Sequence, residues 1–155
     1  MLRENLKAVQ DKIEAVCAKV GRKSSEVTLI AVSKTKPLSD IEELIQCGTT
    51  EFGENKVQEL VDKYEKVSTK VNWHLIGHLQ TNKVKYIVDK ACLIPSVDSL
   101  KLAKEIDKEA KKKDVIVDIL IQVNVANEDT KFGLETDEVL TLINEVSMLN
   151  NVKIK

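Results

Sequence analysis

The sequence is poor in several residue types that most directly announce a function. Only 3% of its 155 residues are aromatic, too few for a base-stacking surface. Its cysteines, Cys17, Cys47 and Cys92, are odd in number and widely spaced, with no C-x-x-C pair. That pattern suits a reducing cytoplasm better than a disulfide framework or a zinc site, and each cysteine is expected to be a small apolar core residue. Two prolines and five glycines form no linker, so one domain over residues 1–155 is expected. No apolar run is long enough to span a bilayer, and the start Met1-Leu2-Arg3-Glu4-Asn5 is charged, so a secretory signal is not expected. The formal net charge of -1 gives no reason to expect nucleic acid or an anionic membrane as partner. No phosphate-binding G-x-x-x-x-G-K-[ST] or G-x-G-x-x-G pattern and no G-x-S-x-G elbow occurs.

What is present is an alternation of apolar strands and amphipathic helices. Hydrophobic residues make up 43% and charged residues 32%, a soluble balance in a chain long enough for a core. Leu2, Leu6, Val9, Ile13, Val16 and Val20 recur at steps of four and three, which predicts a helix over 2–20 packed on the chain's own sheet, with Gly21 as C-cap. A strand over Thr28–Val32 comes next. Ser39 and Glu42 read as a capping box opening a helix that Gly48 ends. Further strands are expected near Thr50–Phe52, Asn72–Ile76, Cys92–Val97 and Val115–Val125, and a last one begins at Val152. Pro95 interrupts the fourth, because it cannot donate to a ladder. Helices are expected over about Lys56–Lys66, Asn82–Asp89, Ser99–Lys112 and Asp137–Leu149. Lys111-Lys112-Lys113 fits the last turn of its helix, where cations meet the negative end of the dipole. The alternation is that of a parallel α/β protein, and periodicity does not separate an open doubly wound sheet from a barrel.

The chain is organised around Thr28-Leu29-Ile30-Ala31-Val32-Ser33-Lys34-Thr35-Lys36-Pro37. A strand with no polar residue from Leu29 to Val32 is expected to be buried on both faces. An amine at its carboxyl end would then meet a low dielectric, which disfavours the ammonium form and frees the amine to attack an aldehyde. Lys34 lies nearer the apolar run than Lys36 and is expected to sit deeper. The competing reading makes both lysines solvated loop residues. His74 and His78 are four apart, but the intervening Leu75-Ile76-Gly77 reads as a strand end and turn, so a shared metal is not expected. Lys34, Asn55, His78 and Lys131 all fall just past expected strand ends.

Four segments in order, LIAVSKTKP, EFGENKVQE, WHLIGHLQTNK and IQVNVANEDTKFG, spread from Leu29 to Gly133. Together they resemble the pyridoxal phosphate homeostasis protein family, built like the amino-terminal barrel of alanine racemase. The resemblance implies a TIM-type (β/α) barrel whose function sits at the carboxyl ends of the strands. It is incomplete here, with about five strand–helix units and the start of a sixth strand. It also implies pyridoxal 5'-phosphate (PLP) held as a Schiff base on Lys34, with Asn55 and His78 beside it. Lys131 matches a family lysine proposed to take part in PLP transfer. The expected partners are PLP and PLP-accepting apoenzymes, without amino-acid turnover. Many family members have tyrosine where this chain has Lys56. Their later segments, which hold the phosphate and face the pyridine nitrogen, lie beyond the stretch matched here, so weak PLP binding is expected. The alternatives are a racemase-class PLP enzyme and a cofactor-free α/β binding module. A racemase needs a second acid/base group, and Tyr64 and Tyr86 are expected inside helices.

Overall fold

The computed structural model describes residues 1–126, 128 and 132–155. Six strands form one sheet in sequence order: β1 (Ala31–Val32), β2 (Glu51–Glu54), β3 (Asn72–Leu75), β4 (Ala91–Val97), β5 (Val117–Ile121) and β6 (Val152–Ile154). Every neighbouring pair is parallel. Helix α1 (Leu2–Val20) precedes β1, and α2 (Leu38–Gln46), α3 (Val57–Lys66), a 3-10 helix (Thr81–Tyr86), α4 (Leu100–Lys112) and α5 (Val139–Val146) fill the connections. A doubly wound sheet reverses its strand order at a switch point, whereas this order never reverses. The winding is that of an incomplete TIM-type α/β barrel, with five strand-to-helix units and a sixth strand.

Strand register separates two environments. Ala31, Phe52, Trp73 and Ala91 line up in one row. Phe52 and Trp73 are buried with ring centroids 5.7 Å apart, in a core shared with Leu60 of α3 and Ile106 of α4. Burying such a side chain contributes about 1.5–3 kcal/mol, so this row anchors the helices to the sheet. The next row, Val32, Gly53, His74, Leu93 and Asp118, faces the inner side. A methyl group on Gly53 would meet Ile30 and Ile76 at 3.0–3.3 Å, so the inner strands pack closely there.

Several boundaries differ from the pattern reading. Helix α2 begins at Leu38 with Pro37 as its N-cap and no side-chain cap bond. The fixed φ of proline sets the helix start, which places Ser39 inside the first turn, too late to cap it. The stretch after Gln80 is a 3-10 helix: Val84 and Ile87, three apart and fully buried, share a face when i and i+3 eclipse. Helix α1 packs on α2, so Cys17 is its buried residue while Val9, Val16 and Val20 are exposed. Gly21 ends it in the left-handed region at φ 69°. Pro95 falls where the β4–β5 register shifts between Ile94 and Val97, the irregularity a missing N–H requires.

Candidate functional site

β1 is only two residues long and lies at the edge of the sheet, with Val32 52% exposed. The expectation of a strand buried on both faces is therefore corrected: the described residues cover its helix side and leave its inner side open. Lys34 is exposed, as is Lys36, so neither is a buried amine. The turn after β1 is nevertheless ordered by specific bonds. Ser33 N–H donates to Gly53 O at 3.0 Å, continuing the ladder one residue, and Lys36 N–H donates back to Ser33 O at 3.0 Å. Thr35 adopts φ 63°, a left-handed conformation unfavourable for a β-branched side chain.

Beneath this turn lies a buried ionic cluster. Strand alternation carries Ser33 and Glu54 to the helix side, where Glu54 is fully buried. Lys63, 6% exposed, reaches up from α3. Its Nζ donates to Ser33 O at 2.7 Å, Glu54 Oε1 at 2.8 Å and Glu59 Oε1 at 2.7 Å. Those bonds use all three ammonium protons. Ser33 Oγ donates to Glu54 Oε1 at 2.5 Å, and Thr35 N–H donates to Glu59 Oε1 at 2.6 Å. Burial works to lower the Lys63 pKa, but hydrogen bonds and charge from Glu54 and Glu59 outweigh it and raise it above its ordinary value. Lys63 thus stays an ammonium and does not compete as a nucleophile. Burial opposes ionisation of Glu59, yet Lys63 and the Thr35 N–H hold its carboxyl below the usual range.

Asn55 and His78, both exposed, lie just past the ends of β2 and β3. Ile76 N–H donates to Glu54 O at 2.9 Å, which sets Asn55 beside Gly77. A Cβ on Gly77 would lie 2.0 Å from Asn55 O, so only glycine permits this approach. Asn55, His78, Lys83 and Tyr86 line a cleft of about 520 Å³ against α3; Lys34 does not line it. The His78 ring stacks on Phe132 with centroids 3.7 Å apart and planes 11° apart, tying the turn after β3 to the loop after β5. Lys131 lies outside the described residues.

The opposite end of the inner face holds a second polar group. Glu51 Oε2 and His74 Nε2 are 2.7 Å apart, and Cys92 Sγ is 3.5 Å from the same nitrogen. Asn72 and Thr50 donate to the other oxygen, Glu51 Oε1, at 2.6 and 3.2 Å. Burial and the nearby Glu51 carboxylate push the Cys92 thiol up to about 11, so it is a protonated thiol rather than a nucleophile. Cys92 is exposed rather than a core residue, because it faces the open inner side.

The alanine racemase N-terminal domain family matches residues 5–155. The chain belongs to that family. A pyridoxal phosphate homeostasis protein of Aquifex aeolicus is 43% identical over 152 residues, which are 97% of this chain and 67% of that protein. Its counterpart in Escherichia coli K12 is 36% identical over 99% of this chain and 68% of that protein. The chain thus spans about two thirds of the length of these curated relatives. Among solved structures, PipY of Synechococcus elongatus with PLP bound matches at TM-score 0.79 and 31% identity, over 92% of this chain and 67% of that one.

In this alanine racemase N-terminal domain the β1–β2 ladder runs to Ser33, one residue before Lys34, and the cleft joins Asn55 to His78. The pattern reading missed Ser33, Glu54, Glu59 and Lys63. Two signals mark them. Glu54 shares the buried side of β2 with Phe52, two residues before it, so an acid there must find a partner. Glu59 and Lys63 are one turn apart on α3, and Lys63 lies three residues after buried Leu60.

Proposed function

We propose that this chain is the PLP-holding part of a pyridoxal phosphate homeostasis protein, with Lys34 as the amine that takes the aldehyde. PLP would be held there as a Schiff base and passed on, without amino-acid turnover. The observation that carries this reading is an exposed amine on a bonded turn at the carboxyl end of a barrel strand. Its support is the 31% identity to PipY, whose structure holds PLP. The residues present fit such a group: an amine for the aldehyde, with the Asn55 amide and His78 imidazole at the neighbouring strand ends. Lys131, just before Phe132, is proposed as the transfer lysine, and PLP-accepting apoenzymes as partners.

A racemase-class reading needs a second acid/base group near the same carbon. Tyr64 and Tyr86 lie in α3 and the 3-10 helix, with lysine ammoniums over both rings. Tyr86 lines the cleft with Asn55 and His78 but not with Lys34. Titration with PLP, monitored by imine absorbance, tests the proposal. A band in the native chain that is absent from Lys34→Ala is expected. The same band in both proteins would overturn it, and interconversion of alanine enantiomers by the PLP-loaded chain would overturn the non-enzymatic reading.

A further inference from the structure

We infer that Glu59 and Lys63 of α3 are positioning residues for Lys34, fixing it through the two peptide groups that flank it. The carbonyl of the Ser33–Lys34 peptide is held by Lys63 Nζ at 2.7 Å. The N–H of the Lys34–Thr35 peptide is held by Glu59 Oε1 at 2.6 Å. Lys63 and Glu59 are themselves bonded at 2.7 Å, so one helical turn grips the peptide on each side of a single α-carbon. The inference rests on the proposal that Lys34 bears PLP.

Three features make this grip more than surface decoration. The strand is a short frame for Lys34, because β1 has only two residues. The turn is strained: Thr35 holds φ 63°, and such a conformation persists only where surrounding bonds determine it. The grip is also built on buried charge. Glu54 is fully buried, shares Lys63 with Glu59, and leaves its Oε2 without a hydrogen-bond partner among the described residues. A buried acid with an unsatisfied oxygen costs free energy that a purely structural contact between β2 and α3 would avoid with apolar side chains. Retaining it fits a role in holding the turn: Glu54 Oε1 accepts from both Lys63 and Ser33 Oγ, locking the ammonium against the Ser33 carbonyl.

An amine on a gripped turn reacts faster than one on a loose loop because less orientational freedom must be lost. The test is the ratio of PLP labelling at Lys34 to that at Lys36, both in the same molecule, after borohydride reduction and peptide mapping. Glu59 is partly exposed, with 23% of its side chain accessible, so Glu59→Ala removes the Thr35 acceptor without emptying the core. In Glu59→Ala the Lys34:Lys36 ratio falls roughly ten- to hundredfold. Glu59→Gln, whose amide oxygen still accepts from Thr35, recovers most of it. Hydrogen exchange of the Thr35 amide, measured without PLP, accelerates in Glu59→Ala and not in Glu59→Gln. Global unfolding would lower labelling preference everywhere and expose amides far from the turn, whereas positioning confines the labelling change to Lys34 and the exchange change to the amides of the turn. A native chain that labels Lys34 no more than Lys36 overturns the assignment of Lys34. A native preference that survives Glu59→Ala, with Thr35 exchange unchanged, overturns the positioning role.

Discussion

Lys63 Nζ sits 2.7 Å from the Ser33 carbonyl oxygen, although thirty residues separate the two in sequence. The bond ties the helix after β2 to the turn after β1, across the strand between them. Lys63→Met would leave the buried Glu54 carboxylate without its cation. Removing one partner of such a pair costs about 3–5 kcal/mol. Denaturant unfolding of Lys63→Met should show a loss of that order, and a loss below about 1 kcal/mol would mean the cluster adds little to stability.

Acid and alkali should each destabilise the fold through identified groups. Burial opposes ionisation of Glu51, but hydrogen bonds from His74 and Asn72 hold its carboxyl below the ordinary 4.5, and Glu59 is likewise lowered. A carboxyl lowered in the folded state adds stability that is fully present above its unfolded value and lost as pH falls through the folded one. The raised Lys63 works in the other direction: its contribution is complete below 10.5 and lost as pH rises through its higher folded value. Unfolding midpoints should fall on both limbs. Glu51→Gln should flatten the acid limb, and an acid limb identical to that of the native chain would exclude Glu51 as a contributor.

Cys92 should be a slow thiol despite its exposure. Its pKa of about 11, against an ordinary 9.0, cuts the thiolate fraction near neutrality about a hundredfold. The greater nucleophilicity of a more basic thiolate returns part of that, leaving alkylation about tenfold slower than for an ordinary thiol. Iodoacetamide labelling and peptide mapping over a range of pH read this directly. Glu51→Gln, which removes the neighbouring charge, should speed it.

Gly77→Ala should disturb the mouth of the barrel. Its Cβ would lie 2.0 Å from Asn55 O, and backbone cannot yield as a flexible side chain does. Overpacking of this kind costs about 1–3 kcal/mol, read by thermal unfolding. Alanine at Gly21 meets no atom within 4 Å and suffers only from its φ of 69°, so it should cost less.

Much of the architecture was legible in the chain because its signals are local. Strands β2 to β6 and helices α3 and α4 lie close to where the pattern placed them, and Ser99 caps α4 by accepting from Leu102 N–H. Barrel winding was not legible from periodicity, since strand order is a property of the whole sheet. The candidate residues Lys34, Asn55 and His78 were legible as residues past strand ends, but their surroundings were not. Lys34 proved exposed because it stands in the turn after a strand of only two residues. The grip on its turn was hidden because it joins Ser33, Glu54 and Lys63 across long sequence gaps, and a lysine and a glutamate in amphipathic elements ordinarily read as solvated.

Borohydride reduction of the chain after incubation with PLP, with peptide mapping of the product, names the amine that takes the aldehyde. A phosphopyridoxyl group concentrated on Lys34 is the predicted result. Label spread over the exposed lysines in proportion to their accessibility, or concentrated elsewhere with Lys34 bare, would contradict it.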